Sequence, residues 1–188
     1  TDTDDISKLL KGSPNTKGDI VVERLGESKP LAKTIEREEI KIKSVPYYGM
    51  LNDKTGYITL TSFTENCSED VANALNELKE KHHVKSIILD LRSNPGGLLT
   101  EAINVANIFL PKGEMIVSTK GRDYKEQKDY KAKSKAIDTE IPLAILIDRG
   151  SASASEIVSG VMQDLDRGIV SVSYTHLTLP TSVIVVLS

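Results

Sequence analysis

The sequence has little cysteine, few aromatic residues and no long apolar run. Its 188 residues include a single cysteine, Cys67, which excludes an internal disulfide framework and a metal site built from cysteines. Two phenylalanines, six tyrosines and no tryptophan leave few rings, so aromatic stacking is not a theme of this chain. The apolar runs fall far short of the about twenty residues that cross a bilayer, and no membrane span is predicted.

The charge pattern narrows the function classes further. A net charge of −3, with both signs interspersed, gives no reason to expect a nucleic acid or an anionic membrane as a partner. The first ten residues are acidic and polar, unlike a secretory signal. With 39% apolar and 27% charged residues, the composition is typical of a soluble globular protein that holds one domain, or one domain and a fragment of another.

The most informative stretch is GSASASE, residues 150–156, which lies between a run typical of a strand and a run typical of a helix. The preceding residues 141–147, IPLAILI, form a short apolar run that fits a strand buried on both faces. The segment that follows has apolar side chains at helical spacing, and these are Ile157, Val158, Val161, Met162 and Leu165.

A junction of this kind suits a serine nucleophile. The first amides of a helix have no partner within the helix and carry the positive end of its dipole. A hydroxyl at that position therefore lies beside donors that could stabilise a developing oxyanion. The alternative is that the serines and alanines are simply small residues at a close helix contact.

A second junction repeats the same plan. Residues 85–92, KSIILDLR, predict a buried strand, and they are followed by the turn SNPGG and a helix from about Leu98 to Leu110. In a parallel sheet both turns would lie at the same edge, where α/β proteins place their sites. Gly96 and Gly97 could then approach a ligand with bare backbone amides. The alternative is that the sequence is only a tight turn.

Residues 1–43 differ in pattern from the rest of the chain. They predict a short helix that begins after Thr3 or Asp4, and two strand-like runs at 19–24 and 31–42 that are joined by a hairpin turn. This segment is too small to bury a core alone.

The segment that leads to the two junctions predicts one more strand and one more helix. Residues 44–54, with Pro46 and Gly49, are interpreted as a linker, and residues 56–63, GYITLTSF, alternate as a strand does. A helix follows, with one apolar face made of Val71, Ala74, Leu75 and Leu78.

Two polar features are given a structural interpretation. His82 and His83 are adjacent at a helix end, so they point in different directions and are expected to be solvated rather than catalytic or ligating. The basic segment 120–135 has no apolar periodicity and is expected to be a solvated loop or hairpin.

Three stretches of the sequence, in this order along the chain, resemble the core of the carboxy-terminal processing peptidases, also called tail-specific proteases. They are residues 56–63, ILDLRSNPGG at 88–97 and IDRGSASASEIVSGVMQD at 147–164. The resemblance spans about residues 1–170. It implies a ClpP/crotonase-like α/β protease core and a serine-lysine dyad that cleaves proteins near apolar C-terminal tails. It also implies a periplasmic or cell-envelope location, no cofactor and no metal.

The resemblance implies a domain organisation as well. The opening TDDISKLLKG and the hairpin VERLG resemble the C-terminal half of a PDZ domain, so residues 1–43 are expected to be that part. Residues 44–170 are expected to be the peptidase core, and residues 171–188 a non-native tail.

The family's site residues carry over position by position. The resemblance implies that Ser153 is the nucleophile and that Gly96, Gly97 and the amide of Ala154 form the oxyanion hole. Further positions are implied to support the site without reacting, and these are the acidic Glu156 and Asp164 and the serines Ser151 and Ser155.

The sequence departs from the family where the general base is expected. A serine hydroxyl needs a base, and a lysine can serve if burial lowers its pKa toward neutrality. The resemblance implies that this lysine follows the serine by about twenty-five residues in a glycine-flanked turn. Thr178 stands there instead, and no lysine occurs after Lys135. Residues 172–181, VSYTHLTLPT, resemble the conceptual translation of a sequencing adapter. The hypothesis is that the reading frame left the gene near residue 170 and that the chain as written is inactive.

Other functions are also compatible with parts of the pattern. A catalytically inactive relative could bind peptides through its PDZ-like part without cutting them. A crotonase-like acyl-CoA enzyme shares the fold, but it gives no reason for a serine at 153. A triad of Ser153, Asp164 and His176 follows the chain order of α/β-hydrolases, but the glycine spacing is not G-x-S-x-G, so it is rejected.

Overall fold

The chain folds into two units, Thr1–Ile42 and Lys43–Ser188. The computed structural model describes residues 3–27, 29–38, 43–120, 127–173 and 184–186, with only the backbone described for 3–5 and 184–186. No helix in these ranges combines the length and the apolar character that a membrane span needs.

The first unit is a helix followed by a hairpin. Helix α1 (Thr3–Leu10) precedes strands β1 (Lys17–Val22) and β2 (Leu31–Glu36), which pair antiparallel. Arg37 joins the helix to the hairpin, because its guanidinium donates to the Leu10 carbonyl at 2.8 Å and to the Lys17 carbonyl at 3.2 Å. The predicted second strand extended to residue 42, whereas β2 ends at Glu36 and residues 39–42 lie outside the described ranges. The assignment to a PDZ domain stays a prediction.

The second unit alternates strands and helices. In chain order its elements are β3 (Tyr47–Met50), β4 (Thr55–Thr59), α2 (Cys67–His82), β5 (Ser86–Asp90), α3 (Leu99–Phe109), β6 (Met115–Lys120), β7 (Lys128–Lys131), β8 (Leu143–Ile147), α4 (Ala154–Asp164), β9 (Ile169–Val172) and β10 (Ile184–Val186).

A five-stranded sheet in the order β3-β4-β5-β8-β9 positions the functional residues. Strands β4, β5, β8 and β9 are parallel, and β3 runs antiparallel at one edge. Ile58, Leu89 and Ile145 are fully buried on three of these strands, because helices cover a parallel sheet and its strands are therefore apolar. The α/β class predicted from the sequence is confirmed.

The segment predicted as a linker contains a strand. Tyr47–Met50 pairs with β4, and Ser44 is buried, with its carbonyl accepting the Thr61 amide at 2.9 Å. Pro46 and Gly49 suggested a loop, but proline is tolerated beside the start of an edge strand, where one row of hydrogen bonds suffices. The linker prediction was therefore wrong.

The remaining polar segments lie on the surface. His82 and His83 are exposed at the end of α2, as expected, and His83 adopts φ 54° as the cap residue. Part of the basic segment forms β7, which pairs antiparallel with β6 and gives the predicted hairpin, although residues 121–126 lie outside the described ranges. Strand β10 pairs parallel with β6.

Candidate active site

Both predicted junctions lie at the same edge of the sheet. Strands β5 and β8 are parallel neighbours, and Asp90 pairs with Leu146 near their carboxyl ends. The pairing extends one step further, since the Leu91 amide donates to the Leu146 carbonyl at 2.9 Å. The two loops that lead to α3 and α4 therefore begin side by side, and each carries one of the predicted groups.

Ser153 lies immediately before α4 in a strained backbone conformation. It has φ 54° and ψ −112°, a combination that a residue with a Cβ seldom adopts, and it is exposed. The Glu156 carboxylate accepts a hydrogen bond from the Ser153 amide at 2.6 Å, which holds the turn against the first turn of the helix. The strain and this bond together present the Ser153 side chain at the helix start.

Gly96 packs directly against this turn. A Cβ added to Gly96 would lie 2.7 Å from the Ala152 carbonyl oxygen, 2.8 Å from the Ser153 Cβ and 2.9 Å from the Ala154 nitrogen. With φ 99°, Gly96 also adopts a conformation that favours glycine. The structure thus brings Gly96, Ser153 and Ala154 together.

The two glycines have different roles. The Gly96 amide donates to the Asn94 side-chain oxygen at 2.9 Å and is already engaged. The Gly96 carbonyl accepts the Phe63 amide at 3.0 Å, and across a trans peptide the Gly97 N–H points away from that bond. Within the described part of the chain, neither the Gly97 amide nor the Ala154 amide has a hydrogen-bond partner. These two amides are the donors that an oxyanion could use. Gly96, which has no side chain, lets its loop pack closely against the turn at Ser153.

Asp148 joins the two loops. Its carboxylate accepts hydrogen bonds from the Ser93 amide at 2.7 Å, the Ser93 hydroxyl at 3.1 Å and the Gly150 amide at 2.9 Å. The Ser93 amide, followed by the Gly150 amide and the nearby hydroxyls, holds the pKa of Asp148 below its usual value even though partial burial opposes this. Ser151 adds a structural bond as expected, because its hydroxyl donates to the Leu91 carbonyl at 2.8 Å.

Sequence reasoning missed Asn94, which is fully buried between the same loops. Its side-chain amide donates to the Leu60 carbonyl at 2.8 Å, and its own carbonyl accepts the Ser155 hydroxyl at 2.9 Å and the Ala152 amide at 3.1 Å. The signal was present in the sequence, since an asparagine two residues before a glycine in a turn often binds the backbone amide of that glycine.

Asp164, one of the predicted residues, is not brought to this place. Asp164 is the last residue of α4, exposed, and an eleven-residue helix is about 16 Å long, so Asp164 lies at the far end from Ser153. Thr178, at the position where the lysine was expected, lies outside the described residues, as does His176 of the rejected triad.

The chain is similar to known peptidases over most of its length. Residues 54–173 match Peptidase family S41. A carboxy-terminal-processing protease of Bartonella bacilliformis is 41% identical over 164 residues, which cover 86% of this chain and 37% of that protein. A protein of Staphylococcus aureus named "Probable CtpA-like serine protease" is 39% identical over 174 residues, which cover 92% of this chain and 34% of that protein.

A solved structure with a similar fold is also a processing protease. The solved photosystem II D1 C-terminal processing protease matches with a TM-score of 0.62 and 28% identity, over 88% of this chain and 46% of that one. The chain spans about a third of the length of the two relatives named above. The family match covers well over half of the chain, and the names of both relatives describe proteases. The chain therefore belongs to peptidase family S41.

Proposed function

We propose that this chain is part of a serine endopeptidase that cleaves proteins near their C-terminal tails, with Ser153 as the nucleophile. The observation that carries the proposal is the position of Ser153 at the start of α4, packed against Gly96. The residues that follow these two, Ala154 and Gly97, carry amides without a hydrogen-bond partner among the described residues. Membership of a peptidase family supports peptide-bond cleavage, and the names of the relatives support processing at C-termini.

The chemistry follows from this arrangement. The Ser153 hydroxyl attacks the carbonyl carbon of the scissile bond and gives its proton to a general base. The carbonyl oxygen becomes an oxyanion, which the Gly97 and Ala154 amides stabilise by hydrogen bonds, aided by the positive end of the α4 dipole. The amine leaves with the proton from the base, and water then hydrolyses the acyl-enzyme.

The general base is expected to be a lysine that this chain does not contain. No lysine follows Lys135, and we propose that residues 171–188 are not the native continuation, so that the chain as written is inactive. Resequencing the gene tests this directly. Genomic codons for residues 172–181, continuous with the upstream gene, would rule out the adapter explanation.

Activity is tested in the extended protein whose native reading frame continues beyond residue 170. We expect it to cleave a substrate with an apolar C-terminal tail, and we expect Ser153→Ala to lower kcat by about 10⁴-fold or more because the nucleophile is lost. If the Ala variant cleaves equally well, Ser153 is not the nucleophile.

The same experiment separates the enzyme from a peptide-binding protein without activity. A native continuation that lacks a lysine in a glycine-flanked turn, together with tail-peptide binding and no cleavage, would favour the binding protein.

The expected substrates are proteins with apolar C-terminal tails, so a tail changed to acidic residues should be cleaved poorly. We further propose a periplasmic or cell-envelope location, which fractionation of the source cells would test.

A further inference from the structure

We propose that Asn94 is the positioning residue that holds the two halves of the oxyanion site together, a role that rests on the proposed function. Asn94 lies in the glycine loop, yet three of its polar groups reach three different segments. Its side-chain nitrogen binds the Leu60 carbonyl, its side-chain oxygen binds the Gly96 amide, and its backbone carbonyl binds the start of α4. A single buried residue thus contacts every segment that shapes the site.

The side chain of Asn94 decides which glycine amide stays available. Because the Gly96 amide is occupied by Asn94 at 2.9 Å, and the Gly96 carbonyl is held by the Phe63 amide at 3.0 Å, both ends of the Gly96 residue are fixed. The peptide that follows is planar and trans, so its orientation is fixed as well. This leaves the Gly97 N–H as the donor and prevents rotation of the loop.

The main chain of Asn94 positions the other donor. Its carbonyl accepts the Ala152 amide at 3.1 Å and the Ser155 hydroxyl at 2.9 Å, on either side of Ser153 and Ala154. Ser155 is fully buried, so its hydroxyl has no water to exchange with. The distance between the Gly97 and Ala154 amides is therefore set through Asn94.

The test compares two buried asparagines in the extended protein. Asn107 is 9% exposed, its side-chain nitrogen donates to the Leu110 and Ser134 carbonyls, and its side-chain oxygen accepts the Ser134 amide at 2.8 Å. Asn94→Ala and Asn107→Ala delete the same chemical groups from similarly buried sites, so both should lose stability. Only the first should affect the oxyanion site.

We expect Asn94→Ala to lower kcat by about 100-fold, as loss of an oxyanion donor does, with KM changed by less than about threefold. The pH profile should keep its shape, since the general base is untouched. Asn107→Ala should retain kcat to within about threefold, once corrected for its folded fraction. Equal losses in the two variants, or wild-type kcat in Asn94→Ala, would overturn the proposal.

A second pair of variants, with smaller expected effects on kcat, tests the proposal if Asn94→Ala does not fold. Ser155 and Ser159 are both fully buried on α4, one turn apart, but the Ser159 hydroxyl donates within its own helix, to the Ser155 carbonyl at 2.8 Å. Ser155→Ala should lower kcat by about three- to tenfold, because one hydrogen bond to Asn94 is lost, and Ser159→Ala should leave kcat unchanged. The reverse order, or no difference, would contradict the role of Asn94.

A measurement without catalysis separates this proposal from the proposed function. In the 188-residue chain, amide hydrogen exchange followed by NMR should show a protected Gly96 amide, and protection should be lost in Asn94→Ala or, if that variant is unfolded, decrease in Ser155→Ala. Unchanged protection overturns the positioning role. An active Ser153→Ala enzyme overturns the nucleophile assignment instead, so the two failures are distinct.

Discussion

The two strand-to-helix junctions of this protein start from neighbouring strands but are built in opposite ways. The loop after β5 turns through Gly96 and Gly97, at φ 99° and φ 147°, where glycine has no steric penalty. The loop after β8 turns through Ser153 at φ 54° and ψ −112°, a combination in which a side chain is strained. One junction presents backbone amides and the other presents a hydroxyl.

The difference follows from what each junction must offer. An oxyanion donor is a backbone N–H, so a loop that provides one benefits from having no side chain in the way. A nucleophile is a side chain, so the loop that provides it must keep a Cβ and accept the strain. The strain at Ser153 is balanced by contacts on both sides, namely the Glu156 carboxylate on its amide and Gly96 against its Cβ.

The largest effect is expected from placing a methyl group between the junctions. In Gly96→Ala the new Cβ would lie within 2.9 Å of three atoms of the serine turn, two of them backbone atoms, and the residue would keep a positive φ. We expect a loss of about 4 kcal/mol in the free energy of unfolding, from overpacking and from backbone strain. Urea unfolding measures this loss.

Gly113→Ala is the matched control for that variant. Gly113 has φ 94°, close to the value at Gly96, but an added Cβ would meet nothing within 4 Å. Its cost should therefore be the backbone strain alone, about 1 kcal/mol. If both variants lose the same amount, the two junctions do not press against each other at Gly96.

A smaller and opposite effect is expected when the strain at Ser153 is removed. Ser153→Gly should raise the free energy of unfolding by about 1 kcal/mol relative to Ser153→Ala, because glycine relieves the strained φ and ψ but loses more chain entropy on folding. Both variants lack the hydroxyl, so thermal or urea unfolding of the pair isolates the backbone. A Gly variant less stable than the Ala variant would show that Ser153 is not strained.

Both junctions were predictable from the sequence, but their internal connections were not. Short apolar runs followed by SNPGG and GSASASE give a strand, a turn and a helix from local pattern alone, and parallel pairing then places them at one edge. The Gly96 amide is engaged and the Gly97 amide is not, because the side chain of Asn94 accepts a hydrogen bond from Gly96. That hydrogen bond depends on tertiary packing. Likewise β3 forms because it pairs with β4. Its own residues, which include Gly49 and follow Pro46, do not predict a strand.

The smallest effect concerns the carboxylate that joins the two loops. Asp148 is only partly buried, so water screens its contribution, and Asp148→Asn should lower the free energy of unfolding at pH 7 by less than about 1 kcal/mol. An asparagine side chain keeps the shape and one acceptor oxygen but loses the charge that strengthens the bonds from Ser93 and Gly150.

The pH dependence identifies this contribution. Because the pKa of Asp148 is lowered in the folded chain, its stabilisation is complete above the unfolded value of about 3.9 and is lost as the pH falls through that value toward the folded pKa. The difference in stability between the wild type and Asp148→Asn should therefore be constant from pH 7 to about pH 5 and then shrink in acid. Asp53→Asn, at an exposed aspartate, serves as the control for the removal of one carboxylate. If the difference in the free energy of unfolding between the wild type and Asp148→Asn grows in acid, Asp148 does not join the two loops through its charge.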